Sequence, residues 1–374
     1  MGEEKGAVLV TDGGSAGSRD CLAAIRALHA ASYEVDVTVS EGTSRQAQSR
    51  FVRARHAIPG VNDPSYPSLV ERLAASGGYV TVLPVSEASL MALSSPIPLV
   101  AELGDKDGLA AAASEAGLRV PESRTFTSAD ELLSVTPSLD YPVAVKPLVR
   151  TFTAFKANSA KDFDRLSASS GPVMVQPWIE GELRALSGVM WKGRLIASCH
   201  ERWLRVWPWP AGLACAAVTT EPDRDLEASL ERLLEGYEGI FCVQLVGGHL
   251  FDLNLRIHSS HSLAVTAGAN LVAIYCDLLR GDRVAELRAR PGHFYRWLEG
   301  DVRHVLNAWR SQRLSALGAL AALRPRAGTA HSTESLTDPA PILMRLLYGA
   351  ARTHFSEAER RGSGVAPGAE RLLG

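Results

Sequence analysis

Along the first 100 residues, apolar positions recur in two alternating patterns. Residues 7–11 are a short apolar run that ends in the glycine- and serine-rich stretch DGGSAGS at 12–18. An alanine-rich helical segment continues to Ala31, and residues 35–39 alternate apolar and polar like a half-buried strand. A helix at 69–75 and another apolar strand at 79–84 follow, before Ser94-Ser95-Pro96-Ile97-Pro98 closes the unit. Strands spaced by helices predict a parallel sheet with right-handed crossovers.

The middle of the chain changes character. A helix at 106–116 is stopped by Gly117 and Pro121, and short strands then follow at 143–146, 173–176, 185–190 and 195–199. A helix over about 226–237 precedes two strands, 241–246 and 249–255, joined by Gly247-Gly248. That doublet predicts a hairpin, since both turn residues tolerate positive φ. Beyond Ala264 the pattern reads as helical, at 275–279 and from 294 to about 323. Residues 325–341 read as a Pro/Ser/Thr-rich linker, 343–352 as a docking helix, and the last dozen residues as frayed. No heptad pattern is sustained in the C-terminal helices, which are expected to serve as packing surface and as the face of a homodimer.

Composition narrows the class. The 374 residues exceed one ordinary core, and 46% hydrophobic with 21% charged residues is typical of soluble globular chains. A formal net charge of −2 argues against general nucleic-acid binding, which requires a basic face. No apolar run reaches the roughly 18 residues of a membrane span, and the N-terminus does not resemble a signal peptide. Five widely spaced cysteines without a CxxC pair read as reduced, buried thiols of a cytoplasmic protein.

The chemistry concentrates in the hairpin, Val243-Gln244-Leu245 and Asp252-Leu253-Asn254-Leu255-Arg256. Alternate strand residues share a face, so Asp252, Asn254 and Arg256 project together and Gln244 reaches the same place. Oxygen donors beside a guanidinium suit a Mg²⁺-bound triphosphate; taken alone, the same residues also fit a solvated outer strand face. Lys146 ends an apolar strand, where a buried ammonium is costly unless it meets an anion. The run QPWIEGE at 176–182 supplies a strand, a hinge whose backbone suits the edge of an adenine, and an acid for ribose hydroxyls.

In this order, VKP, QPWIEGE, a Gln-bearing strand, DLNLR and HSSHSLAVTAGANL resemble the ATP-grasp superfamily, in the branch of the carbamoyl-phosphate synthetase large subunit and stand-alone carboxylate–amine ligases. The resemblance covers about Val8 to Asp301. It implies an α/β and α+β chain with an N-terminal Rossmann-like preATP-grasp domain (1–100) and two α+β lobes clasping ATP (101–180 and 181–312). A C-terminal helical extension and tail (313–374) completes the expected organisation. It further implies phosphate contacts from Lys106 and Lys146, an adenine hinge at Gln176, Trp178 and Ile179, and ribose binding by Glu182. Gln244, Asp252 and Asn254 match the Mg²⁺ ligands, for which Mn²⁺ can substitute, and Arg256 matches the phosphate-contacting arginine. Arg205, with Arg202, resembles the basic strand that holds the acceptor carboxylate or transferred phosphate.

The implied reaction uses ATP to convert a small-molecule or peptide carboxylate to an acyl phosphate, which an amine then attacks to form an amide or peptide bond. Alternatives are a degenerate protein that binds nucleotide without turnover, and phosphorylation of bicarbonate or carbamate. Two features depart from the family pattern. Asp252 stands where glutamate is usual, and the loop after Lys146, LVRTFTAFK at 148–156, lacks glycine. The glycines at 13, 14 and 17 do not fit a dinucleotide-binding register, and His258 and His261 are expected to be pocket residues in preference to a zinc pair.

Overall fold

The computed structural model describes residues 5–11, 19–40, 46–93, 99–100, 103, 106–148, 152, 154–166 and 171–344. The 12–18 turn, most of the 149–153 loop and everything beyond 344 lie outside the described residues, as do the side chains of residues 46, 106 and 107.

The N-terminal unit is a parallel sheet ordered β3-β2-β1-β4, from β1 (Ala7–Thr11), β2 (Glu34–Val39), β3 (Ala54–Ala57) and β4 (Thr81–Leu83). β1 is buried at all five residues because β2 and β4 flank it and α1 (Arg19–Ala30) covers it. Helices α2 (Tyr66–Gly77) and α3 (Glu87–Leu93) complete this unit.

After α4 (Lys106–Glu115) comes an antiparallel sheet ordered β5-β8-β6-β7, comprising β5 (Arg124–Phe126), β6 (Val143–Pro147), β7 (Phe155–Ala157) and β8 (Val173–Pro177), with α5 (Ala129–Val135) beside it. Val143, Val145, Phe155, Val173 and Val175 pack on Phe126, Leu132 and Phe163. The alternate residues Ala144, Lys146 and Gln176 therefore face the other way.

The third sheet runs β13-β12-β9-β10-β11-β15-β16. Its central strands are β9 (Leu183–Trp191), β10 (Arg194–Trp207) and β11 (Leu213–Thr219); α6 (Arg224–Leu233) leads to the hairpin of β12 (Gly239–Val246) and β13 (His249–Asn254). Helices α7 (His261–Thr266) and α8 (Leu271–Leu279), a short β14 (Leu287–Arg288) against β10, β15 (Phe294–Arg296), α9 (Leu298–Arg310), α10 (Ala316–Leu323) and β16 (Ala330–His331) follow.

The two faces of this sheet have different partners. Leu186, Phe241 and Val243 pack under α4 and α6 with Leu109, Ala113 and Leu230. On the other face, Val189, Cys199 and Ile240 share a core with Val8, Ile25 and Leu28 of the N-terminal unit and with Leu271 of α8. That shared core seats the start of α1 beside the sheet's second face. Among the described residues no helix is long and apolar enough to cross a membrane.

Two expectations for the C-terminal part do not hold. Residues 294–323 are not one helical stretch: Phe294, Tyr295 and Arg296 are all buried and pair with β11, leaving helices only at α9 and α10. Residues 325–341 are not a free linker. β16 extends the third sheet beyond β15, and Asp338 is fully buried, accepting hydrogen bonds from Arg26 Nε at 3.0 Å and Ser49 Oγ at 2.9 Å. A buried carboxylate carries enough desolvation cost that only such partners hold it there.

Candidate active site

Between the second and third sheets lies a cleft of ≈ 360 Å³. Lys146 lines it from the end of β6, its ammonium 3.3 Å from the Phe251 carbonyl oxygen and 5.0 Å from the centre of that ring. Trp178, Ile179 and Glu180 line it from the hinge after β8, and Lys156 closes over the Trp178 ring at 4.9 Å. The hinge is held by backbone contact. A Cβ at Gly181 would sit 2.6 Å from the Gly247 Cα, and Gly247 N donates to the Glu182 carbonyl at 3.1 Å. Gly247 and Gly248 have φ of 53° and 78°, the left-handed pair a two-residue hairpin turn requires.

The hairpin strands carry the oxygen donors. Gln244 is paired directly with Asp252 in the β12–β13 ladder, so their side chains share the second face of the sheet. Along β13, Asn254 Nδ2 donates to Asp252 Oδ2 at 2.7 Å, and Arg256 Nη2 donates to Asn254 Oδ1 at 3.2 Å. Arg256 is buried, pairs with Asp20 of α1 at 2.8 Å, and leaves its Nε without a partner. Gln176 faces the same region from β8, bonded to Ser123 at 2.8 Å, and a smaller hollow of ≈ 70 Å³ touches Gln176, Asp252, Asn254 and Arg256 together. One carboxylate, two amide oxygens and an adjacent anion-seeking arginine fit a Mg²⁺ ion, which uses few protein ligands and shares phosphate oxygens.

Other expected residues fall elsewhere. Arg205 does not reach the cleft; it is spent on fully buried Asp301, with Nη2 3.0 Å from Oδ2, because a β-bulge between Trp203 and Arg205 shifts its register. Arg202 lies 3.6 Å from Glu182, which also approaches Arg184 at 3.7 Å, so Glu182 turns toward these arginines. Glu180, whose side chain is 82% exposed, lines the cleft instead. Lys106 begins α4, its side chain outside the described residues.

A second group of buried polar residues sits on the same sheet face; the sequence reading expected His258 there as a pocket residue and missed Glu201 and Arg19. Glu201 of β10 is 1% exposed, accepts a hydrogen bond from Ser260 Oγ at 2.9 Å and faces the Trp203 indole N–H. Burial pushes its carboxyl up to about 7. Ser260 also meets His258 Nδ1 at 3.0 Å. Burial, helped by the charges of Arg256 and Arg19, brings the His258 imidazole down to about 3, so it is neutral. Arg19, the first residue of α1, is 7% exposed, lies over the Trp297 ring at 3.9 Å and donates to Tyr295 Oη at 3.1 Å. The available signal was the register of β10, in which Cys199, Glu201 and Trp203 alternate on the inward face.

A parallel N-terminal sheet, an antiparallel lobe and a larger mixed sheet, with a cleft between the last two, define the ATP-grasp fold. Solved structures share it. N5-carboxyaminoimidazole ribonucleotide synthetase in an ADP complex aligns with TM-score 0.59 at 14% identity, over 84% of this chain and 87% of the other. The L-amino acid ligase of Bacillus licheniformis aligns with TM-score 0.56 at 12% identity, over 75% of each chain. The biotin carboxylase domain of Hydrogenobacter thermophilus 2-oxoglutarate carboxylase, solved with MgADP, ADP and bicarbonate, aligns with TM-score 0.58 at 13% identity, over 77% and 73%. No protein-family model matches the sequence, and no curated protein matches it. At these identities the likeness establishes the fold alone.

Proposed function

We propose that this chain is an ATP- and Mg²⁺-dependent carboxylate–amine ligase, releasing ADP and phosphate. The observation that carries the reading is the array of Asp252, Asn254 and Arg256 along and just beyond β13, with Gln244 paired to Asp252 and the Lys146 ammonium 3.3 Å from the Phe251 carbonyl of the same strand. ATP lies with its adenine at the Trp178–Ile179 hinge and its ribose beside Glu180. Gln244, Asp252 and Asn254 would hold Mg²⁺, which when bound would offset the charge of the triphosphate. The Lys146 ammonium and the unpartnered Arg256 Nε–H stabilise the transferring phosphoryl oxygens; Lys106, at the head of α4, is assigned the same task. The substrate carboxylate oxygen attacks the γ-phosphorus, ADP leaves, and an amine then displaces phosphate from the acyl phosphate. Orientation within a closed cleft supplies much of the rate and protects the acyl phosphate from water.

ADP release with pools of acids and amines tests this. Lys146→Ala and Asp252→Ala are each expected to lower turnover by about a thousandfold, with unchanged melting temperature. Full activity in either variant would remove the site assignment. ATP binding without ADP release from any acid, bicarbonate included, would point to a nucleotide-binding protein without turnover.

A further inference from the structure

Helices α9 and α10 leave an apolar surface uncovered beside the cleft. α9 turns Asp301, Val305 and Ala308 inward, and Leu306 and Trp309, on the next strip of the helix, are 38% and 48% exposed. α10 reads ALGALAAL and buries no residue; its Leu317 and Leu320 are 80% and 72% exposed. So short a helix without a buried face is not stable by itself. Polar contacts pin it at its ends: Gly318 N donates to the Ser315 hydroxyl at 3.1 Å, and buried Arg296 donates from Nη2 to the Ala322 carbonyl at 2.9 Å. The leucines are displayed, not packed. Charge of one sign surrounds them. Residues 298–328 hold five arginines, no lysine and two acids. Both acids are committed: Asp301 is fully buried with Arg205 and Arg296, and Glu299 meets Arg303 at 2.8 Å. Arg310, Arg313, Arg324 and Arg326 are exposed, and among the described residues no carboxylate lies within ion-pair distance of any of them. Arg313 lies over the Trp209 ring at 3.9 Å, and Trp209 lines the cleft, so the surface runs up to the cleft rim.

An exposed apolar patch rimmed by charge marks an interaction surface, and the sign of the rim selects the occupant. We propose that the α9–α10 face docks a protein partner that presents an acidic amphipathic helix. The apolar stripe of that helix covers Leu306, Trp309, Leu317 and Leu320, and its carboxylates meet the unpaired arginines. A guanidinium binds a carboxylate through two parallel N–H bonds, which an ammonium does not offer, and tryptophan and arginine carry much of the binding energy at protein interfaces. A second copy of this chain fits less well, since a two-fold contact lays the face on itself and sets arginine against arginine. An anionic bilayer matches the charge, but α10 is about two turns long and offers two leucines, little apolar area for insertion. The docking does not depend on the ligase reading. Because the face ends at Trp209, a bound partner stands at the cleft mouth.

Fluorescence anisotropy with the full chain tests the surface. The probes are a labelled amphipathic helix of leucine and glutamate, its leucine–lysine counterpart, and oligoglutamate. The leucine–glutamate helix is expected to bind with a Kd of about 1–10 μM and to weaken about tenfold between about 0.05 M and about 0.5 M salt. The other two probes should bind at least about tenfold more weakly. Trp309→Ala should cost the leucine–glutamate helix about tenfold to a hundredfold in affinity, and Leu317→Ser with Leu320→Ser about tenfold. Arg310→Gln with Arg324→Gln should cost about tenfold and flatten the salt dependence. All these side chains are exposed, so the melting temperature should stay at the wild-type value. The proposal is overturned if the leucine–glutamate helix does not bind, if either other probe binds as well, or if both double variants keep wild-type affinity. Phosphatidylglycerol vesicles that capture the wild type but not the leucine variant would give the face to lipid instead. A sedimentation-velocity dimer of the wild type that the leucine variant loses would give it to a second copy.

Discussion

Two buried glutamates on opposite faces of the third sheet have opposite surroundings. Glu227, on α6, is 4% exposed and saturated: Ser198 donates at 2.6 Å, His200 lies at 3.1 Å, Arg288 at 2.7 Å and Arg224 at 2.8 Å. Burial works to raise its carboxyl, but those partners outweigh it and hold it below the usual carboxylate range. Glu201 is as deeply buried with only two neutral partners, Ser260 and Trp203, and burial wins. One strand carries both environments, since His200 and Ser198 point to Glu227 while Glu201 points to the other side. A saturated buried charge is a structural joint. An unsaturated one marks a place where the protein alone is incomplete.

The largest effect should come from breaking the joint. Glu227→Ala leaves Arg288 and Arg224 beside a hole, so urea unfolding is expected to show a loss of about 3–5 kcal/mol. A loss under about 1 kcal/mol would mean that the cluster is ornamental and the contrast unfounded.

Next in size is a difference in pH response. Because the Glu201 carboxyl is raised from 4.5 to about 7 in the folded chain, its favourable contribution is complete below the unfolded value and lost as pH rises through 7. The groups facing it do not titrate in that window: His258 is brought down to about 3, and the Cys199 and Cys242 thiols and the Tyr295 phenol are raised. Glu201→Gln should therefore match the wild type near about pH 5 and exceed its stability by up to about 3 kcal/mol near about pH 8. Glu227 has the opposite sign, since a lowered carboxyl contributes above its unfolded value and loses that contribution as pH falls. A Glu201→Gln difference independent of pH would show that the carboxyl is already ionised and partnered.

The sequence disclosed local order better than long-range satisfaction. The hairpin and its Gly247-Gly248 turn were legible because period-two alternation and a φ requirement are local. The same alternation puts Asp252, Asn254 and Arg256 in one hydrogen-bonded array, Asn254 meeting Asp252 at 2.7 Å and Arg256 meeting Asn254 at 3.2 Å. Arg19, Glu201 and Asp338 were not, because a buried charge is recognised by which distant groups meet it. Asp338 meets Arg26 across 312 positions, and Tyr295 meets Arg19 across 276. Segment 325–341 looked like a linker for the same reason: its composition is that of a loop, and its order comes from Arg26 and Ser49. Arg205 was misplaced by a β-bulge, which no periodicity argument detects.

The smallest prediction concerns two glutamates two residues apart. Glu182 is the residue that the sequence resemblance assigns to ribose binding, yet its side chain is 51% exposed and shared between Arg184 and Arg202. Glu180 lines the cleft and lies 3.8 Å from Lys156, which covers the Trp178 ring. Ribose hydroxyls at the hinge would meet Glu180, because alternation past Gly181 turns Glu182 to the opposite side from Leu183, which lines the cleft. Glu180→Gln is expected to raise KM for ATP about three- to fivefold at unchanged kcat, the scale of one exposed polar contact, and Glu182→Gln less than about twofold. The reverse order in steady-state kinetics would return the ribose to Glu182 and require the hinge to rotate when nucleotide binds. Glu182 carries two cationic neighbours that resist such a rotation, so equal effects from both variants would also count against the present assignment.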